Sequence, residues 1–173
     1  MKASVFIATS LDGFIAREDG AIDWLPENPE PHGYDEFIAS VDAIVVGRKT
    51  FETVLGFGGW GYGKKPVVVL STHASELKAP ETAVCDFMNA APQEVVARLT
   101  ERGIRHIYVD GGVTIQRFLE AGLIQRLIIT RIPVLLGSGI ALFGPLSHDI
   151  HLTHVATKSF NGGLVQSEYT IGE

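Results

Sequence analysis

The sequence predicts an α/β sandwich: a mostly parallel sheet with helices on both faces, ending in an antiparallel hairpin. Strand candidates that are apolar on both faces alternate with segments of helical periodicity, the pattern of a sheet covered on both sides. The last two strand candidates are joined by Asn161-Gly162-Gly163, whose residues tolerate positive φ. No internal repeat, low-complexity tract or linker interrupts the chain, so residues 1–173 are expected to form one domain.

The strand candidates are, in order, ASVFIA, DAIVVG, KPVVVLS, TAVCDF, RHIYVDG, RLIITRIPV, IHLTHVATKSF and LVQSEYTI. Between them, PQEVVARLTERG reads as a helix: Pro92 suits the first helical position, Val95, Val96 and Leu99 form one face, and Gly103 stands where a C-terminal cap belongs. In TIQRFLEAGL, expected to be helical from Thr114 to Leu123, Ile115, Phe118, Leu119 and Leu123 make a buried face. Shorter helices are expected around Tyr34 to Ser40 and Lys49 to Leu55.

Lys and Arg number 14 against 20 Asp and Glu, a net charge of −6 that argues against nucleic acid as a partner. The hydrophobic fraction of 46% and mean hydropathy of +0.20 fit buried strands or an oligomer that hides apolar surface. No apolar run approaches the ~18 residues that span a bilayer, so no membrane association is expected. VFIA leads straight into polar SLDG and is not read as a signal peptide. A single cysteine, Cys85, excludes an internal disulfide and fits a reducing, cytoplasmic setting. It is expected to be a small buried hydrophobe.

The glycine-rich GFGGWGYGKKP, Gly56 to Pro66, invites comparison with a phosphate-cradling loop. Gly58 to Lys64 supplies seven positions of the P-loop pattern, but Lys65 stands where the magnesium-binding hydroxyl belongs. A helix precedes this loop and a strand follows it, the reverse of what a P-loop needs, and Pro66 cannot sit in a helix interior. We read a surface loop with solvated Lys64 and Lys65.

The carboxyl ends of three strands carry the informative residues. DAIVVG ends in Arg48-Lys49-Thr50, PVVVL in Ser71-Thr72-His73, and IYVD in Gly111-Gly112. Ligands of open α/β sheets bind beyond these ends, where helix-start N–H groups present positive charge to anions. Gly47 lets the chain turn directly into a helix, with Thr50 in its first turn. Glycines 111 and 112 admit a pyrophosphate, and Arg48 has the planar fork that suits a further phosphate. The set describes a site for NADP rather than NAD, although no G-x-G-x-x-G fingerprint is present.

ATSLDGFIA, IVVGRKTFE, VVLSTH, VDGGVTIQRFL and LIITRIPVLLGSGIALFG occur in this order. The series resembles the dihydrofolate reductase superfamily over essentially the whole chain. It is most similar to the branch that holds the reductase domain of riboflavin biosynthesis. The resemblance implies a dihydrofolate reductase-like three-layer sandwich with a mainly parallel eight-stranded sheet, NADPH as cofactor and a homodimer. It implies that Gly47, Arg48, Lys49 and Thr50 bind phosphates, that Ser71 and Thr72 flank the 2′-phosphate, and that Gly111, Gly112, Val113, Thr114 and Ile115 cradle the pyrophosphate. Ala8 and Ile15 would pack near the nicotinamide, and Thr130 would face the substrate. Dihydrofolate reductases carry a carboxylate on the first helix; here Pro31, His32 or Gly33 falls at that position, with Asp35 and Glu36 close by.

Asp110, last residue of its strand, is the candidate catalytic group and substrate contact; the competing reading has it capping the next helix. Asp12 and Trp24 are further substrate-contact candidates, although Asp12-Gly13 is first of all a turn signal and Trp24 suits core packing. His148, His151 and His154 have helical metal spacing, but their context is a strand, so no metal site is expected. The expected function is NADPH-dependent hydride transfer to a small heterocyclic or imine-containing substrate, pyrimidine- or pteridine-like. Dihydrofolate reduction proper and a non-catalytic NADP-binding module are the alternatives.

Overall fold

A computed structural model describes residues 1–172. In chain order the elements are β1 (Lys2–Ser10), β2 (Phe14–Ala16), α1 (Tyr34–Ser40), β3 (Ala43–Gly47), α2 (Arg48–Gly56), β4 (Val67–Leu70), β5 (Cys85–Met88), α3 (Pro92–Glu101), β6 (His106–Asp110), α4 (Gly112–Glu120), β7 (Arg126–Ile132), β8 (Ile140–Ala141), β9 (Leu152–Phe160) and β10 (Leu164–Ile171). All eight strand candidates enter one eight-stranded sheet of order β5-β4-β3-β6-β1-β7-β10-β9. Its first six strands are parallel, while β10 runs antiparallel to both β7 and β9. The closing hairpin turns at Gly162 and Gly163, with φ of 79° and 80°.

Strand alternation divides the core into two. Val5, Val45, Ile107, Val109, Leu127 and Ile129 pack with Val95 and Leu99 of α3 and Ile115 and Phe118 of α4. Phe6, Ile44, Val46, Tyr108 and Ile128 face the other way, against Phe37 of α1 and Phe51 of α2. The layers are therefore helix, sheet, helix, which is the α/β sandwich and dihydrofolate reductase-like fold expected.

Two details differ from expectation. A second sheet pairs β2 with β8, and Leu142 N–H donates to Gly13 C=O at 3.0 Å beside it. Strands of three and two residues lie below what periodicity can register. Helix α4 also starts at Gly112 and ends at Glu120, because Gly111 at φ 94° supplies the entry turn. At its far end, Gly122 at φ 67° stops the helix, and Leu123 N–H returns to Phe118 C=O. Gly103 closes α3 in the same way, as expected.

Among the described residues, no helix is long and apolar enough to cross a membrane. Lys65 is not solvated as expected: it is half-buried, and its ammonium donates to Val41 C=O at the end of α1.

Candidate functional site

Order in the sheet places the three informative strand ends side by side. β3 lies between β4 and β6 and runs parallel to both, with Gly47 level with Leu70 and Val46 level with Asp110. Ser71, Arg48 and Gly111 are thus neighbours along one rim.

At this rim two strand-to-helix turns nest reciprocally. Each helix carries threonine at its third position, Thr50 in α2 and Thr114 in α4. A Cβ at Gly47 would fall 2.9 Å from Thr114 Oγ1, and one at Gly111 would fall 2.5 Å from Thr50 Oγ1. Neither glycine has room for a side chain, and Gly111 also has φ 94°. Two helix N-termini consequently point into the same small volume, each with unpaired first-turn N–H groups and a hydroxyl.

Arg48 stands at the mouth, half-exposed, with its nearest carboxylate Glu52 at 3.7 Å, one turn along the same helix. That pairing is loose, and the guanidinium is free to engage another anion. Lys49 is exposed beside it. Ser71 Oγ accepts from His73 N–H at 3.0 Å, and Thr72 Oγ1 lies 3.1 Å from His73 Nδ1, which folds the LSTH segment into a tight polar corner.

Val113 is 67% exposed, so it can meet a ligand, whereas Ile115 is fully buried in the core. Ile115 N–H also donates to Gly111 C=O at 2.8 Å. Its side chain is thus engaged in the core and its N–H in the first turn of α4. Ile15 packs at Gly112, its Cδ1 only 3.0 Å from where a Cβ would stand.

Next to the rim the sheet opens. β1 and β6 pair only from Lys2–His106 to Ser4–Tyr108, whereas β1 pairs with β7 along seven residues. Beyond Ser4 the two strands part, and this is where chain order reverses across the sheet, the location at which α/β sheets bind ligands. The Tyr108 hydroxyl donates to Phe6 C=O at 2.9 Å, satisfying a carbonyl left without a ladder partner.

Asp110 lies on the Tyr108 face of β6, within this crevice. Burial pushes its carboxyl up to about 6, against the opposing effect of hydrogen-bond donation from Gly111 N–H. Its Oδ1 accepts from Gly111 N–H at 2.8 Å, one residue before the helix start, so it does not cap α4 as the competing reading held. Tyr34 from α1 and Tyr62 from the glycine-rich loop pack in the same cluster. Burial pushes the Tyr34 phenol up to about 12 and Tyr62 and Tyr108 higher still, with the Asp110 charge adding to each.

Across the sheet, Ala8, Thr130, Gln166 and Lys158 lie level on β1, β7, β10 and β9. Thr130 is 2% exposed, and its Oγ1 accepts from Gln166 Nε2 at 3.0 Å; the same amide donates to His32 C=O at 3.0 Å. A cavity of about 520 Å³ continues from here between α1 and the terminal hairpin, lined by Phe6, His32, Phe37, Ile128, Phe160 and Gln166 among others. The His32 ring packs on Phe6 at 5.7 Å and on Phe160 at 6.3 Å. The position where dihydrofolate reductases carry a carboxylate thus borders an aromatic wall; Asp35 and Glu36 are both exposed, and Glu36 lines the same cavity.

Asp12 ties its own turn to the loop at Leu136 and Gly137. Its carboxylate accepts from the Ser10 hydroxyl at 2.6 Å and from Leu136 and Gly137 N–H at 3.2 and 2.8 Å. These donors hold the acid below the ordinary aspartate range, the Ser10 hydroxyl most of all. Trp24 is half-buried and its indole N–H has no acceptor among the described residues. Cys85 is half-buried, its thiol pushed up to about 11 by burial and by the Asp86 charge, which keeps it protonated and inert. Of the three histidines only His154 lies in β9, bonded to Thr157 Oγ1 at 2.7 Å; no metal-ligating cluster occurs among the described residues.

Tyr34, Tyr62, Tyr108 and Gln166 escaped the sequence reading. Tyr108 was within reach, since two residues before Asp110 on one strand means the same face. Tyr62 had no such signal.

The family model for the RibD C-terminal domain matches residues 2–58 and 60–166. The chain belongs to this family. The uncharacterized protein YwjB of Bacillus subtilis (strain 168) is 36% identical over 172 residues, covering 97% of each chain. A Shewanella sp. PV-4 protein provisionally named for riboflavin biosynthesis superposes with TM-score 0.87 at 36% identity, over 100% of both chains. The diaminohydroxyphosphoribosylaminopyrimidine deaminase/5-amino-6-(5-phosphoribosylamino)uracil reductase of Thermotoga maritima shares the fold, with TM-score 0.75 at 17% identity over 99% of this chain and 56% of that one. Dihydrofolate reductase of Enterococcus faecalis, complexed with NADP(H), shares it at TM-score 0.66 and 17% identity, over 99% and 97%. The family member described here therefore has a reductase-type, dihydrofolate reductase-like fold.

Proposed function

We propose that the protein is an NADPH-dependent reductase that delivers hydride to an electrophilic C=N or C=O carbon of a small heterocycle, pyrimidine- or pteridine-like. One observation carries the reading: two helix N-termini nest reciprocally, Gly47 against Thr114 and Gly111 against Thr50, with Arg48 and Ser71 on either side. Unpaired N–H groups and two hydroxyls suit a pyrophosphate. The loosely paired Arg48 guanidinium, with Ser71 and Thr72, suits a 2′-phosphate. The NADP(H) complex of the dihydrofolate reductase neighbour supports the same cofactor.

When bound, NADPH supplies the hydride. Ala8 and Ile15 offer the apolar surfaces against which a nicotinamide would pack, at the opening between β1 and β6. Thr130, held by Gln166, faces the substrate. Asp110, whose carboxyl holds a proton up to about pH 6, would give it to the atom adjoining the reduced carbon, so that hydride and proton together complete the reduction.

Turnover tests this directly. Loss of NADPH absorbance is measured against cyclic imines, pyrimidinones and dihydrofolate, and NADPH deuterated at its hydride position should place deuterium in the product. With Pro31, His32 or Gly33 where dihydrofolate reductases carry a carboxylate, dihydrofolate should be the poorest of these. The same substitution favours a second reading, a non-catalytic NADP-binding module. NADPH binding with no turnover of any substrate would select that reading and reject the first.

We further propose a homodimer. β9 is a nine-residue edge strand that exposes Leu152 and Val155, and such edges require cover. Light scattering should read twice the 18.7 kDa chain mass; a monomer at micromolar concentration contradicts this.

A further inference from the structure

We propose that Gln166 is a positioning residue that sets the hydrogen-bond polarity of Thr130, so that the substrate edge meeting Thr130 must offer an acceptor, a carbonyl oxygen or a bare ring nitrogen, and not an N–H group. The inference rests on the reading of Thr130 as a substrate contact and adds to it which edge of the heterocycle is admitted.

Strand register brings the two side chains together. β10 runs antiparallel to β7 with Gln166 opposite Thr130, so both project from the sheet face that carries Ile128 and packs on α1. Beyond Gln166 lies the segment that leads into α1, where the His32 ring is held against Phe6 and Phe160.

The orientation of the amide follows from its partners. His32 C=O can only accept, so the group facing it at 3.0 Å is the Gln166 NH2 and not its oxygen. That nitrogen carries two protons. One goes to His32 C=O and the other to Thr130 Oγ1, also at 3.0 Å. Thr130 therefore turns a lone pair to Gln166, and its own proton has no acceptor among the described residues. At 2% exposure the residue is too buried for that proton to be freely solvated, and a buried donor without a partner is costly.

A substrate carbonyl or ring nitrogen at Thr130 takes up this proton. A substrate N–H could use only the second lone pair, which leaves the hydroxyl proton buried and unmet. An ionised carboxylate in place of the amide would invert the arrangement. It has no proton to give, so the Thr130 proton would turn to it and both lone pairs would be left for the substrate. Among the described residues no carboxylate bonds to Thr130 or Gln166, Glu36 in the same cavity included.

The test has a ligand-free arm and a binding arm, both by NMR on the full chain. Without ligand, both side-chain amide protons of Gln166 should be protected from exchange, and in the isosteric Thr130→Val exactly one should lose protection. Two freely exchanging protons in wild type overturn the proposal. In the binding arm the probes are pyrimidine, whose ring nitrogens only accept, and pyrrole, whose ring N–H only donates; each is titrated against the Thr130 methyl signal. Thr130→Val should weaken pyrimidine by ~10-fold, the worth of a lost buried hydrogen bond, and change pyrrole less than about twofold. Gln166→Glu should weaken pyrimidine as Thr130→Val does, because the hydroxyl proton is diverted, and the double variant should be no weaker than either. Pyrimidine affinity unchanged in either single variant, or losses that add in the double, overturns the proposal. NADPH turnover alongside such a result rejects the inference and leaves the reductase reading standing. Absence of any pyrimidine shift at Thr130 in wild type rejects Thr130 as a substrate contact and the inference with it.

Discussion

The rim at the ends of β3, β4 and β6 and the wall around Asp110 adjoin each other but are built by different means. The rim is backbone: glycines that leave no space for a Cβ, helix-start N–H groups, and two threonines held in register by the nesting of like turns. The wall is side chain: a carboxylate and three phenols delivered by a strand, a helix and a loop far apart in sequence. A backbone site tolerates variation around it and suits a ligand shared by many proteins. A side-chain site is set by a few substitutable groups and suits a substrate that differs among relatives.

Four substitutions sharpen this contrast, in descending order of effect. Asp110→Asn, on the wall, should lower turnover by ~10²-fold or more while leaving NADPH affinity unchanged. It should also stabilise the fold. The folded carboxyl binds its proton more tightly, at about 6, than the unfolded one at 3.8, so its contribution to stability is full below pH 3.8 and lost as pH rises through 6. Relative to wild type, the variant should gain up to ~3 kcal/mol at neutral pH, an advantage that vanishes near pH 4, read by urea unfolding at both.

Gly111→Ala, on the rim, should do the opposite. With φ 94° and Thr50 Oγ1 only 2.5 Å away, it should cost about 2–3 kcal/mol of stability and abolish stabilisation by NADPH. Arg48→Ala should leave the fold intact and reduce the preference for NADPH over NADH by roughly 10- to 100-fold, the worth of a charge-assisted contact. Lys64→Ala should change NADPH affinity less than about twofold, since an exposed cation outside the rim contributes little. A large loss there would return the glycine-rich loop to the phosphate site.

The same contrast governs what could be read from the sequence. Strand periodicity located all eight strands of the main sheet, and turn chemistry located its closing hairpin. The rim was legible because glycine pairs, strand ends and helix starts are local signals. Of the wall only Asp110 was named, because Tyr34 and Tyr62 join Tyr108, and Gln166 meets Thr130, only through tertiary placement. The β2–β8 pair escaped for a similar reason, joining residues more than a hundred positions apart. Ile115 is instructive: its periodic spacing assigned it to a buried helix face, while family likeness assigned it to the cofactor. Its complete burial bears out the periodicity.

The central claim, that the rim grips the phosphates of NADP, is tested most directly by calorimetric titration of NADPH and NADH into wild type and Arg48→Ala. The account predicts that wild type binds NADPH at least ~10-fold more tightly than NADH and that the variant binds the two alike. Equal affinities in wild type, or a preference that survives the loss of Arg48, would contradict it.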